Sequence, residues 1–158
     1  MTFKLYSQTF ENGADIPLRF TRDGENQSPS LNWQDLPAGT QSLALIVENP
    51  HGAVGPMVHW ALYNISPEQD ALPEGIVRTP QVSGIGTQAI NHFFRSGYDG
   101  PCKLDGSGNC YAFNLYALDL PPNLAGDMNA SDLLRVIHGH VLGQSSWTGQ
   151  YKQEENKN

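Results

Sequence analysis

Ser42-Leu43-Ala44-Leu45-Ile46-Val47-Glu48 carries apolar side chains at consecutive positions, so a strand formed here must be covered on both faces. Beyond the turn-rich stretch Asn49-Pro50-His51-Gly52-Ala53-Val54-Gly55-Pro56-Met57, the pattern resumes in Val58-His59-Trp60-Ala61-Leu62-Tyr63-Asn64-Ile65. Period-two alternation puts Trp60 and Leu62 on one face and His59, Ala61, Tyr63 and Ile65 on the other. A third strong strand is predicted over residues 110–119, with Tyr111, Phe113, Leu115 and Ala117 sharing a face. Outward from these, residues 3–10 and 18–20 read as short strands around the turn Glu11-Asn12-Gly13-Ala14-Asp15. Residues 26–33 form a proline-punctuated extended piece, and Leu36-Pro37-Ala38-Gly39 a turn.

One helix is predicted late in the chain. Asn129 or Ser131 can cap it, Asp132 suits its first turn, and Leu133, Leu134, Ile137 and Val141 recur at helical spacing before a stop at Gly143. A last short strand is predicted over residues 144–151, followed by a polar tail at 152–158. Many strands, frequent Gly and Pro turns and one late helix predict a mainly β fold. It is an antiparallel β-sandwich with a short C-terminal helix, built as a single domain over residues 1–151.

The chain has 158 residues, 39% hydrophobic and 9% aromatic, which is ample for a core and ordinary for a soluble globular protein. Its net charge of −7, with only nine Lys and Arg, argues against nucleic acid and against adsorption to anionic membranes. No stretch has the apolar length of a membrane span, and the first residues lack a signal-peptide core. The expectation is a cytoplasmic protein without membrane insertion.

Two segments gather loop chemistry at strand ends, where binding sites commonly lie. They are residues 47–60 and the stretch Arg95-Ser96-Gly97-Tyr98-Asp99-Gly100-Pro101-Cys102, which runs on to Asn109-Cys110-Tyr111. His59 follows the Val54-Gly55-Pro56 turn and reads either as a core-edge histidine bonded to a carbonyl or as a donor to an anion. In the second case the loop amides of residues 97–100 would converge on the same ligand, because glycine-rich turns make anion sites without net positive charge.

Cys102 and Cys110 read as reduced thiols or as the ends of a small disulfide loop; a Cys–His nucleophile is a third option without a pKa signal in the sequence. His51, His59 and His92 could form a three-His zinc site, but their spacing is not diagnostic. His138 and His140, two apart on the predicted helix, point away from each other. Trp33, Trp60 and Trp147 read as packing residues, and Asp99 and Asp105 as turn formers.

The ordered series of motifs resembles the phosphatidylethanolamine-binding proteins, also called the Raf kinase inhibitor protein family, in their short bacterial branch. It runs through Asn26-Gln27-Ser28-Pro29-Ser30-Leu31-Asn32-Trp33, Leu36-Pro37-Ala38-Gly39-Thr40, Val58-His59-Trp60 and Leu72-Pro73-Glu74-Gly75. It continues with Gly97-Tyr98-Asp99-Gly100-Pro101-Cys102, Tyr116-Ala117-Leu118-Asp119 and Gly139-His140-Val141-Leu142, covering roughly residues 3–151. The resemblance implies a β-sandwich with a small anion pocket at one end. His59 matches the family's strand histidine, and Gly100, Pro101 and Tyr111 match its pocket loop and wall. The family's Asp-Pro-Asp-x-Pro appears as Asn49-Pro50-His51-Gly52-Ala53, and its Gly-x-His-Arg-Tyr as Gly108-Asn109-Cys110-Tyr111. Two carboxylates and a second histidine are thereby replaced.

The expectation is a non-enzymatic module binding a small anion or phospholipid headgroup. Its pocket comprises Asn49, Pro50, His59, Gly100, Pro101, Asn109 and Tyr111, with a preference shifted toward neutral or carboxylate ligands and no cofactor or metal. The resemblance also implies a protein partner, a kinase or a peptidase. The rivals are a peptidase inhibitor acting through a surface, an interaction module with a vestigial pocket, and a hydrolase using Cys102 or Cys110 with His59.

Overall fold

The computed structural model describes residues 2–51, 55–102 and 110–151. Loop residues 103–109, with Asn109 and Asp105, and the predicted polar tail at 152–158 lie outside the described residues. The chain is mainly β and antiparallel. Its strands are β1 (Lys4–Tyr6), β2 (Leu31–Gln34), β3 (Ser42–Asn49), β4 (Met57–Ile65), β5 (Ala71–Leu72), β6 (Gln81–Val82), β7 (Gly86–Gln88), β8 (Cys110–Leu118) and β9 (Val141–Gln150), with helix α1 (Ala130–Ile137) between the last two. A six-stranded sheet in the order β6-β7-β4-β3-β8-β9 faces a three-stranded sheet in the order β1-β2-β5.

The double coverage expected of residues 42–48 is what β3 has. Leu43, Leu45 and Val47 enter one core with Leu5, Leu31, Trp33, Trp60, Leu62, Phe113 and Leu115. Ala44 and Ile46 enter a second with Tyr63, Leu118, Leu133 and Ile137 of the helix side. Tyr111, Phe113, Leu115 and Ala117 share the first core as expected.

Strict alternation fails on β4. Ile65 lies in the core of Trp60 and Leu62, not in that of Ala61 and Tyr63. The register slips between Leu43 and Leu45, opposite Asn64, whose φ of 58° is left-handed. One extra residue in the ladder reverses the face of everything beyond it.

Other expectations need correction. Residues 18–20 form a 3-10 turn and not a strand. Pro17 sets the entry angle, and the N–H groups of Phe20 and Thr21 donate to the carbonyls of Pro17 and Leu18. The first strand is only three residues long, because Ser7 Oγ donates to the Ser30 carbonyl instead of continuing a ladder.

The helix is capped by Asn129, whose side chain accepts the Asp132 N–H while Asp132 accepts the Asn129 N–H. It ends at Ile137, short of Val141 and Gly143. His138 leaves helical geometry and Gly139 turns left-handed at φ 84°. His138 and His140 therefore lie past the helix, and β9 begins at Val141, pairing with β8 from Leu118 to Cys110.

Candidate functional site

His59 sits in a second bulge of β4. Val47 pairs with Trp60 and Glu48 with Val58, so His59 is the residue left unmatched. A bulge re-aims its extra side chain. Here the ring turns edge-on to Phe93, centroids 4.9 Å apart, and to Tyr111 at 5.2 Å. Its Nδ1 lies 2.8 Å from the Asp99 carbonyl oxygen. A carbonyl only accepts, so Nδ1 carries a proton and donates it. The Asp99 N–H returns a bond to the His59 carbonyl at 3.1 Å, which Asn91 Nδ2 also reaches. Backbone and ring are thus tied to the same residue, and His59 is 2% exposed.

Asp99 is the organising group, fully buried although the sequence suggests only a turn former. Its Oδ2 accepts from Asn91 Nδ2 at 2.8 Å, Arg78 at 3.1 Å and Arg95 Nε at 3.2 Å. Its Oδ1 accepts from Asn26 Nδ2 at 3.2 Å and from the Arg95 terminal nitrogen. Burial alone would raise this carboxyl, but the bonds from Asn91, Arg95 and Asn26 and the charge of Arg78 outweigh it and hold the group below the usual carboxylate range.

The segment after the 3-10 turn closes the other side. Arg22 donates its N–H to the Pro101 carbonyl at 2.8 Å and its Nε to the Gly100 carbonyl at 2.9 Å, with its guanidinium 4.4 Å from the Phe93 ring centre. Tyr98 Oη donates to the Phe20 carbonyl at 2.6 Å, and burial pushes that phenol up. A Cβ on Gly100 would lie 2.1 Å from the Phe20 oxygen, so only glycine admits this approach.

The structure brings His59, Tyr111, Gly100 and Pro101 together, the last two through Asp99 and Arg22. Asn49, buried at the end of β3, accepts the His51 N–H at 2.9 Å and shapes the turn that contains Pro50. Asn109 lies outside the described residues. The expected convergence of loop amides is corrected in part: the Asp99 N–H goes to His59 and the Gly100 N–H to Asn26 Oδ1 at 2.8 Å. The Nδ1–H of His59 is given to the Asp99 carbonyl. Sequence reading missed Arg22, Asn26, Arg78, Asn91, Phe93 and Arg95. The Asn-Gln-Ser-Pro element was noticed as a motif, but nothing in it says that Asn26 reaches Asp99.

The family model "Phosphatidylethanolamine-binding protein" matches residues 6–152. A UPF0098 protein of Aquifex aeolicus is 37% identical over 157 residues, covering 96% of this chain and 89% of that one. The lipoprotein-named LppC of Mycobacterium tuberculosis is 36% identical over 140 residues, covering 85% and 67%. Among solved structures, a phosphatidylethanolamine-binding protein homologue of Chlamydia trachomatis, CT736, superposes with a TM-score of 0.82 at 31% identity, over 96% of this chain and 98% of that one. E. coli YbcL gives 0.85 at 25% identity, over 96% and 99%.

The chain belongs to the phosphatidylethanolamine-binding protein family.

Cys102 and Cys110 are free, half-buried thiols. The Nδ1 of His59 carries the proton given to Asp99, so a base at this ring would be Nε2. His92 Nδ1 accepts the Val58 N–H at 2.9 Å, so a neutral His92 holds its proton on Nε2, 3.5 Å from Ser131 Oγ, and cannot deprotonate that hydroxyl. Among the described residues no three His, Cys, Asp or Glu side chains gather as a metal site, and His59 and His92 are bound to different main-chain groups. Beside the site a cavity of about 620 Å³ opens between Pro56, Met57, Ile90 and Phe94. Phe94 is 90% exposed at a left-handed φ of 64°. No helix of the described residues is long and apolar enough to cross a membrane.

Proposed function

We propose that this family member is a non-catalytic module that binds a small anion or a phospholipid-like headgroup at His59, between Tyr111, Phe93 and the Gly100-Pro101 turn. Asn49, Pro50 and Asn109 are the flanking positions of the pocket. One observation carries the reading. Three of the chain's five arginines, Arg22, Arg78 and Arg95, converge on the three residues Tyr98, Asp99 and Gly100. Arg78 and Arg95 share the single Asp99 carboxylate, which leaves one guanidinium charge in excess at that pair. A protein of net charge −7 thus concentrates positive charge beside one buried histidine.

Such focusing favours an anionic ligand although the surface as a whole repels it. The arginines supply what the replaced family carboxylates and second histidine do not. The exposed Phe94 next to the pocket supports an extension of the reading, in which ligand occupancy controls a protein partner such as a kinase or peptidase in the cytoplasm.

The test is a titration of the 15N-labelled protein with inorganic phosphate, acetate and phosphoethanolamine at low salt. Shifts confined to His59, Phe93, Gly100 and Tyr111, weakened by added chloride, are expected. Shifts that scatter over exposed groups such as Arg135, or none at millimolar ligand, defeat the proposal.

A further inference from the structure

We infer that the chain self-associates through the uncovered half of β9, two copies pairing antiparallel about a two-fold axis at Gln144 so that one six-stranded sheet runs on into the other. Four strands edge the two sheets, β1 and β5 in the small one and β6 and β9 in the large one. Three of them are blunted as natural sheet edges are, by shortness, charge or proline. β1 has three residues and carries Lys4, β5 has two and runs into Pro73, and β6 has two and follows Pro80. β9 departs from this pattern. It is ten residues long, Val141-Leu142-Gly143-Gln144-Ser145-Ser146-Trp147-Thr148-Gly149-Gln150, and holds neither a charged residue nor a proline.

The open part of that edge follows from the ladder. In an antiparallel pair, the N–H and C=O of every second residue point away from the partner strand. Thr148 and Gln150 are of this kind. The Thr148 carbonyl accepts the Gly13 N–H and its N–H donates to Asn12 Oδ1, both at 2.8 Å. The Gln150 carbonyl accepts the Ile16 N–H at 2.7 Å and its N–H donates to the Ala14 carbonyl at 2.9 Å. Residues 12–16 thus cover the C-terminal end of β9. The register with β8 is unbroken from Gln150 back to Gly143, so Ser146 and Gln144 turn the same groups outward. Among the described residues nothing bonds to those main-chain groups, and both residues are exposed, as are Val141 and Leu142 before them.

Charge selects the occupant. A net charge of −7 opposes contact between two copies of this chain across charged surface, whereas residues 141–150 bring no like charges together when the strand meets itself. A two-fold pairing makes the same patch serve both copies. Centred on Gln144, it uses the whole uncovered stretch: each Gln144 faces the other, and Leu142 of one strand lies opposite Ser146 of its counterpart. The outward groups of Gln144 and Ser146 then enter a ladder, and the exposed Val141 and Leu142 lose water. A centre nearer Thr148 would drive the second strand into residues 12–16. A strand pair of this length buries less than the ~1,200 Å² of stable complexes, so the association is weak and reversible.

The experiment is sedimentation velocity of the full chain from about 20 μM to about 1 mM, the range in which a small interface forms, with amide hydrogen exchange at both ends of it. A monomer–dimer equilibrium is expected, with the Gln144 and Ser146 amides exchanging freely at the low concentration and slowed at the high one. Gln144→Lys and Gln144→Glu supply the second arm. The Gln144 side chain is exposed and its one described bond, to Asn114 Oδ1, is 3.5 Å long, so both variants should fold, which thermal unfolding checks. Each substitution sets like charges about 5.5 Å apart at the axis and should weaken dimerisation about fivefold or more, whereas an equimolar mixture of the two should associate at least as well as the unsubstituted chain. A chain that stays monomeric throughout overturns the inference and leaves the edge to an extended segment of another protein. A dimer that leaves both amides unprotected overturns it as well, since the copies then meet through another surface such as that of Phe94. So does a dimer indifferent to both substitutions, or one that the mixture fails to restore.

Discussion

Replacing Asp99 by Asn keeps the shape of the buried hub and removes its charge. The carboxylate receives three N–H donors at Oδ2 and two at Oδ1. An amide offers one oxygen and one NH2, so whichever way it turns, at least two donors face another donor. Charge-assisted bonds are each worth about 1.5–3 kcal/mol when lost inside a protein. The arginine share must be discounted, because the Arg78 and Arg95 side chains are 38% and 54% exposed and can rehydrate. Asn91, 2% exposed, cannot. The net loss should be about 3 kcal/mol.

For a chain of 158 residues that is a fall in Tm of roughly 6–12 °C, read by circular dichroism alongside urea unfolding with unchanged slope. The pH dependence follows from the lowered carboxyl. A depressed native value contributes stability that is complete above the unfolded-state value, about 3.9, and disappears as pH falls through the native one. The gap between wild type and D99N should therefore stay level from pH 7 to about 4 and narrow below that. A loss under about 0.5 kcal/mol, the range of ordinary surface changes, or a gap that widens in acid, would refute the hub.

Two further changes test the frame around it. Gly100→Ala places a methyl 2.1 Å from the Phe20 oxygen and 3.0 Å from Thr21 Cα, both backbone atoms, so the loops must part. A loss of about 2 kcal/mol or more by urea unfolding, with displaced His59 and Tyr98 resonances, is expected; a neutral result would show that the two loops are not clamped. Asn129→Ala removes a reciprocal cap and should cost about 1 kcal/mol, a drop of some 2–4 °C, with the site resonances unmoved because α1 packs on the opposite core.

How much of this was open to sequence reading depends on the range of the forces involved. Strands β3, β4 and β8 were legible because a strand covered on two sides must be apolar at successive positions, whatever its neighbours are. The helix start was legible because Asn129 and Asp132 complete each other within one turn. Its end was not: the apolar spacing runs on to Val141, but Gly139 at positive φ breaks the helix, and Val141 belongs to a strand that pairs across 23 residues with Leu118. The 3-10 turn at residues 18–20 was misread as a strand because three residues carry no period, and Pro17 acts through its own φ.

The site divides along the same line. His59, Gly100, Pro101 and Tyr111 lie in two recognisable segments, yet what each touches is set by residues far away. A bulge adds one residue to β4 relative to β3, a relation between two strands that neither sequence contains, and it alone turns His59 from the Ala61 face toward Tyr111. Likewise Asp99 in a Gly-Tyr-Asp-Gly loop looks like a turn residue until Asn26, Arg78 and Asn91 arrive from 73, 21 and 8 positions away. Net charge is equally blind to such local arrangements. A sum over the chain weighs every charge equally, whereas a buried site feels the few groups that the fold delivers to it, and here the fold delivers three arginines to the loop residues Tyr98, Asp99 and Gly100, whose middle member holds His59 through its backbone.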